Sequence, residues 1–170
     1  QPKRKAPKPA AAPDKPQEAK ADFSEYITKA QEALKSSEAG LSYLQARGIT
    51  QQTAERFMLG YDGGKIVIPY GRNGSYYITR SIAGKEYGKP KREIAGPEPL
   101  YNAAAITSGE SNAVFVCESP LCAISIMQEG GAAVALGGLG KNKLLSVLDE
   151  TQSKKTLILC LDNDDKGQQG

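Results

Sequence analysis

Apolar positions from Asp22 onward follow first a helical period and then a strand period. Phe23, Tyr26, Ile27, Ala30 and Leu34 recur at three- and four-residue spacing, which predicts an amphipathic helix running to about Ser36. Ser37 to Leu41 opens a second short helix that reaches Ala46 and stops at Gly48. Thr50 stands as N-cap of a third helix over Gln51 to Met58, with Gly60 as its stop. Lys65 to Tyr70 is then a strand candidate, Asn73-Gly74 a hairpin turn and Tyr76 to Arg80 the return strand. Ser81 to Pro99, rich in Gly, Pro and Lys, reads as an irregular loop. Three uninterrupted apolar runs follow, at Ala113 to Cys117, Ala132 to Leu136 and Thr156 to Leu161. Helical patterns over Leu121 to Glu129 and Lys141 to Glu150 separate them, and Gly130-Gly131 ends the first. Continuous apolar strands are what a parallel sheet covered on both faces requires. The expectation is a β-α-β-α-β unit, the start of a doubly wound α/β fold.

Residues 1–20 behave differently. They hold five Pro, five Ala and six basic residues with no large apolar side chain. Such a segment cannot bury enough surface to offset its ordering entropy, so it is expected to be a disordered basic linker. It also explains the charge. The 170 residues carry a net +3, but this segment alone, with six basic residues against two acidic, contributes +4 and leaves the other 150 at −1. The basic balance describes a tail, whose lysines suit loose phosphate contact, and not a basic globular face. There is no His, which excludes Ser-His-Asp and Cys-His hydrolases, zincins and His-ligated zinc fingers. Three Cys cannot all pair, and they are expected to be buried thiols in a reducing cytoplasm. No stretch is apolar enough for a membrane span, and no signal peptide is expected. A chain that begins with Gln and stops just after an acidic cluster is expected to be a piece of a longer protein.

Ligands of a doubly wound sheet gather at the carboxyl ends of its strands. Here the first apolar run is followed at once by Glu118 and the third by Asp162-Asn163-Asp164-Asp165. Residues two apart in an extended segment point the same way, so Asp162 and Asp164 can face one site. Were Glu118 beside them, each pair of carboxylates at about 4 Å would repel by roughly 4 kcal/mol at an effective dielectric near 20. Such a cluster stays ionised only with a cation, and hard oxygen donors suit Mg²⁺ or Mn²⁺. Solvated loop acids are the alternative. Asp162-x-Asp164-x-Lys166-Gly167 echoes an EF-hand loop, but a Lys at its fifth position and a preceding strand exclude it. The glycines from Gly137 to Gly140 do not form a P-loop, because the spacing is short and no Ser/Thr follows Lys141. They read as a strand-to-helix turn able to receive a phosphate at the helix N-terminus.

Three segments together resemble a TOPRIM domain: Val114 to Ser125, Ala135 to Gly138, and Leu159 to Gly167. The combination is an acid after strand one, a Gly-Gly turn after strand two and a D-x-D-x-x-G after strand three. Upstream, Tyr43 to Thr50, Phe57 to Tyr61, Ile68 to Arg80, Lys89-Pro90-Lys91 and Leu100-Tyr101-Asn102 are similar to the N-terminal subdomain of the RNA-polymerase core of DnaG-type DNA primases. The likeness spans about residues 38–170 and looks closest to the primase-like proteins of phages and mobile elements. It implies a mixed α+β N-terminal subdomain over 21–110 followed by a C-terminally truncated TOPRIM parallel sheet over 111–170.

The resemblance further implies a primase, synthesising short RNA primers on single-stranded DNA from nucleoside triphosphates by metal-dependent nucleotidyl transfer. Glu118, Asp162 and Asp164 would be the catalytic, metal-binding acids, with Mg²⁺ or Mn²⁺ as cofactor. Arg80, Lys89 and Lys91 would contact template or incoming nucleotide, with Arg92 beside them. A replicative helicase or helicase domain would be the partner and the cytoplasm the location. Two positions depart from the family pattern. Ser119 stands where Gly usually follows the first acid, and Cys122 stands where a second Asp is usual. A thiol is no hard-metal carboxylate, which keeps open a non-catalytic TOPRIM-like nucleic-acid-binding module. A TOPRIM nuclease or topoisomerase would leave the primase-like front half without a role.

Overall fold

The computed structural model describes residues 21–138 and 140–162. The expectations for residues 1–20 and for Asp164 lie outside the described residues. Three helices come first: α1 (Ser24–Lys35), α2 (Glu38–Ala46) and α3 (Gln51–Arg56). The N-termini of α2 and α3 are set by side chains that accept otherwise orphaned amides. Ser37 Oγ takes the Gly40 N–H at 3.0 Å, and Thr50 Oγ1 takes the Thr53 N–H at 3.1 Å. The third helix ends two residues earlier than its pattern indicates. Met58 adopts φ 58°, and Leu59 N–H then closes back on Ala54 O at 2.8 Å, which terminates the helix.

An antiparallel sheet follows in the order β1 (Gly60–Asp62), β2 (Lys65–Pro69), β3 (Tyr77–Ser81), β4 (Tyr87–Gly88). The hairpin is closed by Tyr70 N–H to Tyr76 O at 2.9 Å, and Asn73 Oδ1 holds the turn through Ser75 N–H and Oγ. Two strands were not apparent in the pattern. Gly60, expected as a helix stop, begins β1, because the missing Cβ lets Ala30 of α1 lie directly against it. The loop expected over 81–99 contains β4 and a single-turn helix, α4 (Arg92–Ala95); α5 (Ala104–Thr107) follows.

The remainder is the expected alternation: β5 (Ala113–Cys117), α6 (Pro120–Gln128), β6 (Ala133–Ala135), α7 (Asn142–Thr151) and β7 (Thr156–Cys160). The three strands are parallel in the order β6-β5-β7, so the fold is mixed α/β as read from the sequence. Side chains alternate across β5. Cys117 joins a cluster with Ala123, Ile124 and Met127 of α6, whereas Val114 and Val116 join Leu144 of α7 and Ile106 of α5 on the other face. Cover on both faces therefore holds for β5 and β6. It does not hold for β7, where Ile158 is 38% and Leu159 67% exposed. That strand is an edge among the described residues, and α7 leans on α5 instead of spreading over it. The thiols divide the same way. Cys117 is buried, but Cys122 on the outer side of α6 and Cys160 on the edge strand are exposed, against expectation; all three are free.

The two sheets are joined. Tyr101 exchanges both backbone hydrogen bonds with Ala135 of β6, at 3.2 and 3.3 Å, and Gln128 of α6 bonds Thr50 N–H and Gly48 O at 3.0 and 2.9 Å. No helix among the described residues is long and apolar enough to cross a membrane. A Cβ added at Gly60 would lie 2.6 Å from Ala30 Cβ and 2.7 Å from its carbonyl carbon. Overpacking of a well-filled contact costs about 1–3 kcal/mol. Gly60→Ala is therefore expected to lower unfolding free energy by about that amount, read as a lower urea midpoint at unchanged slope; an unchanged midpoint would show that α1 and β1 separate without cost.

Candidate active site

The strand order places the site. From β5 the chain crosses through α6 to β6 on one side, then through α7 over the opposite face to β7 on the other side. The connection leaving β5 and the one leaving its neighbour β6 run over opposite faces of the sheet, which opens a crevice at the carboxyl ends, where such sheets bind ligands. Glu118 directly follows β5, and Asp162 is two residues past β7, whose Cys160 is in register with Cys117.

The Glu118 carboxylate reaches the main chain of Asp162. Glu118 Oε1 accepts the Asp162 N–H at 3.3 Å, and Asp162 itself is exposed to solvent. Glu118 is also fixed through its own carbonyl, which accepts the Gly137 and Gly138 N–H groups at 2.8 and 3.3 Å. These glycines adopt φ 70° and 131°, and a Cβ at Gly137 would overlap Glu98. The Gly-Gly turn thus spends its amides on the main chain of the first acid. The Gly137 and Gly138 amides are therefore not offered to a phosphate.

Ser119 caps α6. Its hydroxyl accepts the Cys122 N–H at 3.3 Å and lies 3.2 Å from Cys122 Sγ, with Pro120 at the first helical position. The two departures from the family pattern are one local device, a helix start made by a Ser–Cys pair. Burial pushes the Cys117 thiol up to about 12, with the Cys122 and Cys160 thiols adding to the effect. That thiol is no nucleophile at neutral pH.

The donor chemistry of Glu118 and Asp162, hard carboxylate oxygens on adjacent strand ends, fits Mg²⁺ or Mn²⁺. Among the described residues no group of three acids, thiols or imidazoles converges to hold a metal, and Asp164 lies outside them.

The basic residues separate into three situations. Arg80 on β3 is braced by aromatic and backbone groups. Its guanidinium lies 4.6 Å over the Tyr87 ring, donates to Lys85 O at 2.6 Å and to Tyr43 Oη at 3.4 Å. Arg47 lies 4.7 Å over the other aromatic of this group, Tyr43. Tyr43, Arg47 and Tyr87 were not singled out from the sequence, although arginines interleaved with tyrosines were the available signal. Lys91 is the N-cap residue of α4 and Arg92 its first residue; both are exposed. Lys89 is instead held by Glu98 at 2.6 Å, as is Lys143 of α7 at 3.2 Å, and Tyr70 Oη donates to the same carboxylate at 2.7 Å. Sequence reasoning missed Glu98 and Lys143. The Pro97-Glu98-Pro99 triplet, an acid locked between two rigid residues, was a signal for the first.

With the geometry in place, comparison with known proteins shows what the fold is similar to. Residues 115–170 match a family model described as Toprim-like. The fold is that of the RNA-polymerase domain of DnaG-type primases. It matches the Aquifex aeolicus primase (zinc-binding and RNA-polymerase domains) at TM-score 0.69 and 18% identity, over 86% of this chain and 48% of that one. It matches a DnaG primase catalytic domain bound to ssDNA at 0.64 and 18%, over 86% and 62%. The RNA-polymerase domain of Mycobacterium tuberculosis DnaG matches at 0.64 and 14%, over 84% and 65%. The chain thus spans about half to two thirds of these structures. No curated protein sequence gives a significant match.

Burial disfavours ionisation of Glu98, but hydrogen bonds from Lys89 and Tyr70 and the nearby Lys143 ammonium outweigh it, and its carboxyl titrates below the usual carboxylate range. A depressed folded-state pKa contributes stability that is fully present above the unfolded value of about 4.3 and is lost as pH falls through the folded value. The stability difference between wild type and Glu98→Gln is accordingly expected to be constant above about pH 5 and to shrink on further acidification. Urea titrations from pH 7 to pH 3 check this; a difference that stays flat to pH 3 would show that the Glu98 charge is not what the cluster depends on.

Proposed function

We propose that this chain is part of the catalytic core of a DNA primase, which builds short RNA primers on single-stranded DNA from nucleoside triphosphates. The observation that carries the reading is the meeting of Glu118 and Asp162 at the switch point of a sheet with the primase fold. Residues 21–110 would present template and nucleotide to this point, residues 111–170 would carry the acids, and residues 1–20 would link the core to a preceding module. Asp164 is assigned to the same acid set by its spacing from Asp162.

Glu118, Asp162 and Asp164 would hold Mg²⁺ or Mn²⁺. When bound, such a cation supplies activation of the attacking 3′ hydroxyl and neutralisation of the triphosphate. The chain's own contribution is placement. The Glu118 backbone is fixed by the 137–138 turn, which limits where its carboxylate can reach. Arg80, held over the Tyr87 ring, and the exposed Lys91 and Arg92 would neutralise phosphates of template or nucleotide. The structures matched include primases bound to ssDNA and to double-stranded DNA, which supports a nucleic-acid partner here. A helicase would receive or recruit the longer protein.

One observation favours a second reading. Cys122, where the family has an acid, is committed to the Ser119 cap, so a non-catalytic nucleic-acid-binding module needs no further change. Asp162→Asn in a chain extended through the complete TOPRIM fold separates the two. The primase reading expects primer synthesis to fall by at least about a thousandfold, while affinity for single-stranded DNA changes less than about twofold. It also expects millimolar Mn²⁺ to raise the melting temperature of wild type and not of the variant. Absence of primer synthesis in the extended wild type, together with no metal-dependent shift, would leave the binding-module reading.

A second expectation follows from the charges. Single-strand affinity should fall steeply between 50 and 200 mM salt, as counterion release by the tail lysines and Arg80, Lys91 and Arg92 requires. Binding insensitive to salt in a titration over that range would remove these residues from the interface.

A further inference from the structure

Glu98 gathers polar groups from three separate parts of the chain. One carboxylate oxygen, Oε2, accepts from Lys89 Nζ at 2.6 Å and is ion-paired with Lys143 Nζ at 3.2 Å; Oε1 accepts from Tyr70 Oη at 2.7 Å. The Glu98 side chain is 12% exposed, against 42% for Lys89 and 26% for Lys143. Glu98 is thus the most buried side chain of the three, and both lysine side chains retain more contact with solvent. Two cations on one anion leave the cluster net positive. A lone structural ion pair has no use for a second ammonium on the same oxygen, since the two lysines repel each other. Each ammonium has three N–H donors, and Glu98 occupies one of each pair's sets, so donors remain on both for an outside acceptor.

The position of the cluster gives that acceptor a use. A Cβ at Gly137 would collide with Glu98 Oε1 and stand 3.1 Å from Lys143 Nζ, so the cluster lies directly against the turn that holds the Glu118 carbonyl. Two adjacent ammonium groups beside the first acid of the site match a ligand that concentrates negative charge in one group. A triphosphate does so, whereas a phosphodiester strand spreads single charges along its length.

We propose that Lys89 and Lys143, held side by side by Glu98, form a cradle for the triphosphate of a nucleoside triphosphate. Glu98 is then a positioning residue and the lysines are the binding groups. The identity of the ligand as a nucleotide rests on the primase reading; the cradle itself does not depend on catalysis.

The test is calorimetric titration of the 170-residue chain with sodium tripolyphosphate at low salt. Lys89→Gln and Lys143→Gln are each expected to weaken binding about tenfold, about 1.4 kcal/mol, and Lys143→Arg to restore most of it. Glu98→Asp keeps the charge but shortens the arm by one methylene. It is expected to weaken binding several-fold while the melting temperature moves little, a split that a merely structural role would reverse. Affinity for a single-stranded oligonucleotide should be unchanged by Lys143→Gln. The cradle is overturned if wild type does not bind tripolyphosphate, if Lys143→Gln and Glu98→Asp bind it as wild type does, or if only oligonucleotide binding falls. Absence of primer synthesis in the extended wild type, with tripolyphosphate binding intact, would tell against the primase reading and leave the cradle standing.

Discussion

Everything at the site depends on where α6 is wedged. Its inner side, Ala123, Ile124 and Met127, belongs to the same buried cluster as Leu34 and Leu44 of the first two helices and Ile66, Ile68 and Ile78 of the antiparallel sheet. The helix is therefore shared by both sheets. Its start fixes the end of β5, and so the backbone of Glu118; its end, at Gln128, is bonded to the loop between α2 and α3. Moving the acid relative to the antiparallel subdomain would open a contact among side chains that are nearly all fully buried, each worth roughly 1.5–3 kcal/mol when buried. The site inherits its rigidity from this core.

Much of this was legible in the chain. The apolar runs located all three parallel strands, and for β5 and β6 the lack of alternation reflects burial on both faces; helical periodicity located α1, and hydroxyl caps located the starts of α2 and α3. What escaped had no periodic signal. Three residues make β1 and two make β4, too short for a period to show, and Gly60 carries opposite meanings as a helix stop and as a place of close approach. Met58 ends α3 in a conformation usually taken by glycine, so its pattern runs on past the true end. The exposure of β7 was invisible for another reason: Thr156 to Leu161 is as apolar as the other two runs, and apolarity alone does not say what covers a strand.

The site divided along the same line. That Glu118 and Asp162 stand at strand ends was readable because an acid just past an apolar run is placed by the strand itself. Arg80 was placed by its hairpin, but its partners Tyr43 and Tyr87 lie 37 positions before and 7 after it, and only the sheet brings them together. Lys89 is the instructive residue. Its basic, proline-flanked segment suggested a free contact to nucleic acid, yet the ammonium is already bonded to a carboxylate that also holds Lys143, 54 positions further on. Sequence proximity groups Lys89 with Lys91 and Arg92; the fold groups it with Glu98.

That regrouping changes how charge is organised around the acids. A carboxylate pair alone repels anionic substrates, and free lysines on long stems lose rotamer freedom when they close on a phosphate. Glu98 meets both difficulties at once. It takes the ordering cost of two lysine side chains into the folded state, where Tyr70 and the Gly137 turn also hold it in place, and it leaves the cluster one positive charge in excess. A bound anion then finds donors already gathered, which is the condition under which electrostatic contacts assist binding most. The lowered titration range of Glu98 keeps that arrangement ionised at neutral pH, so the lysines never face each other without their counter-charge.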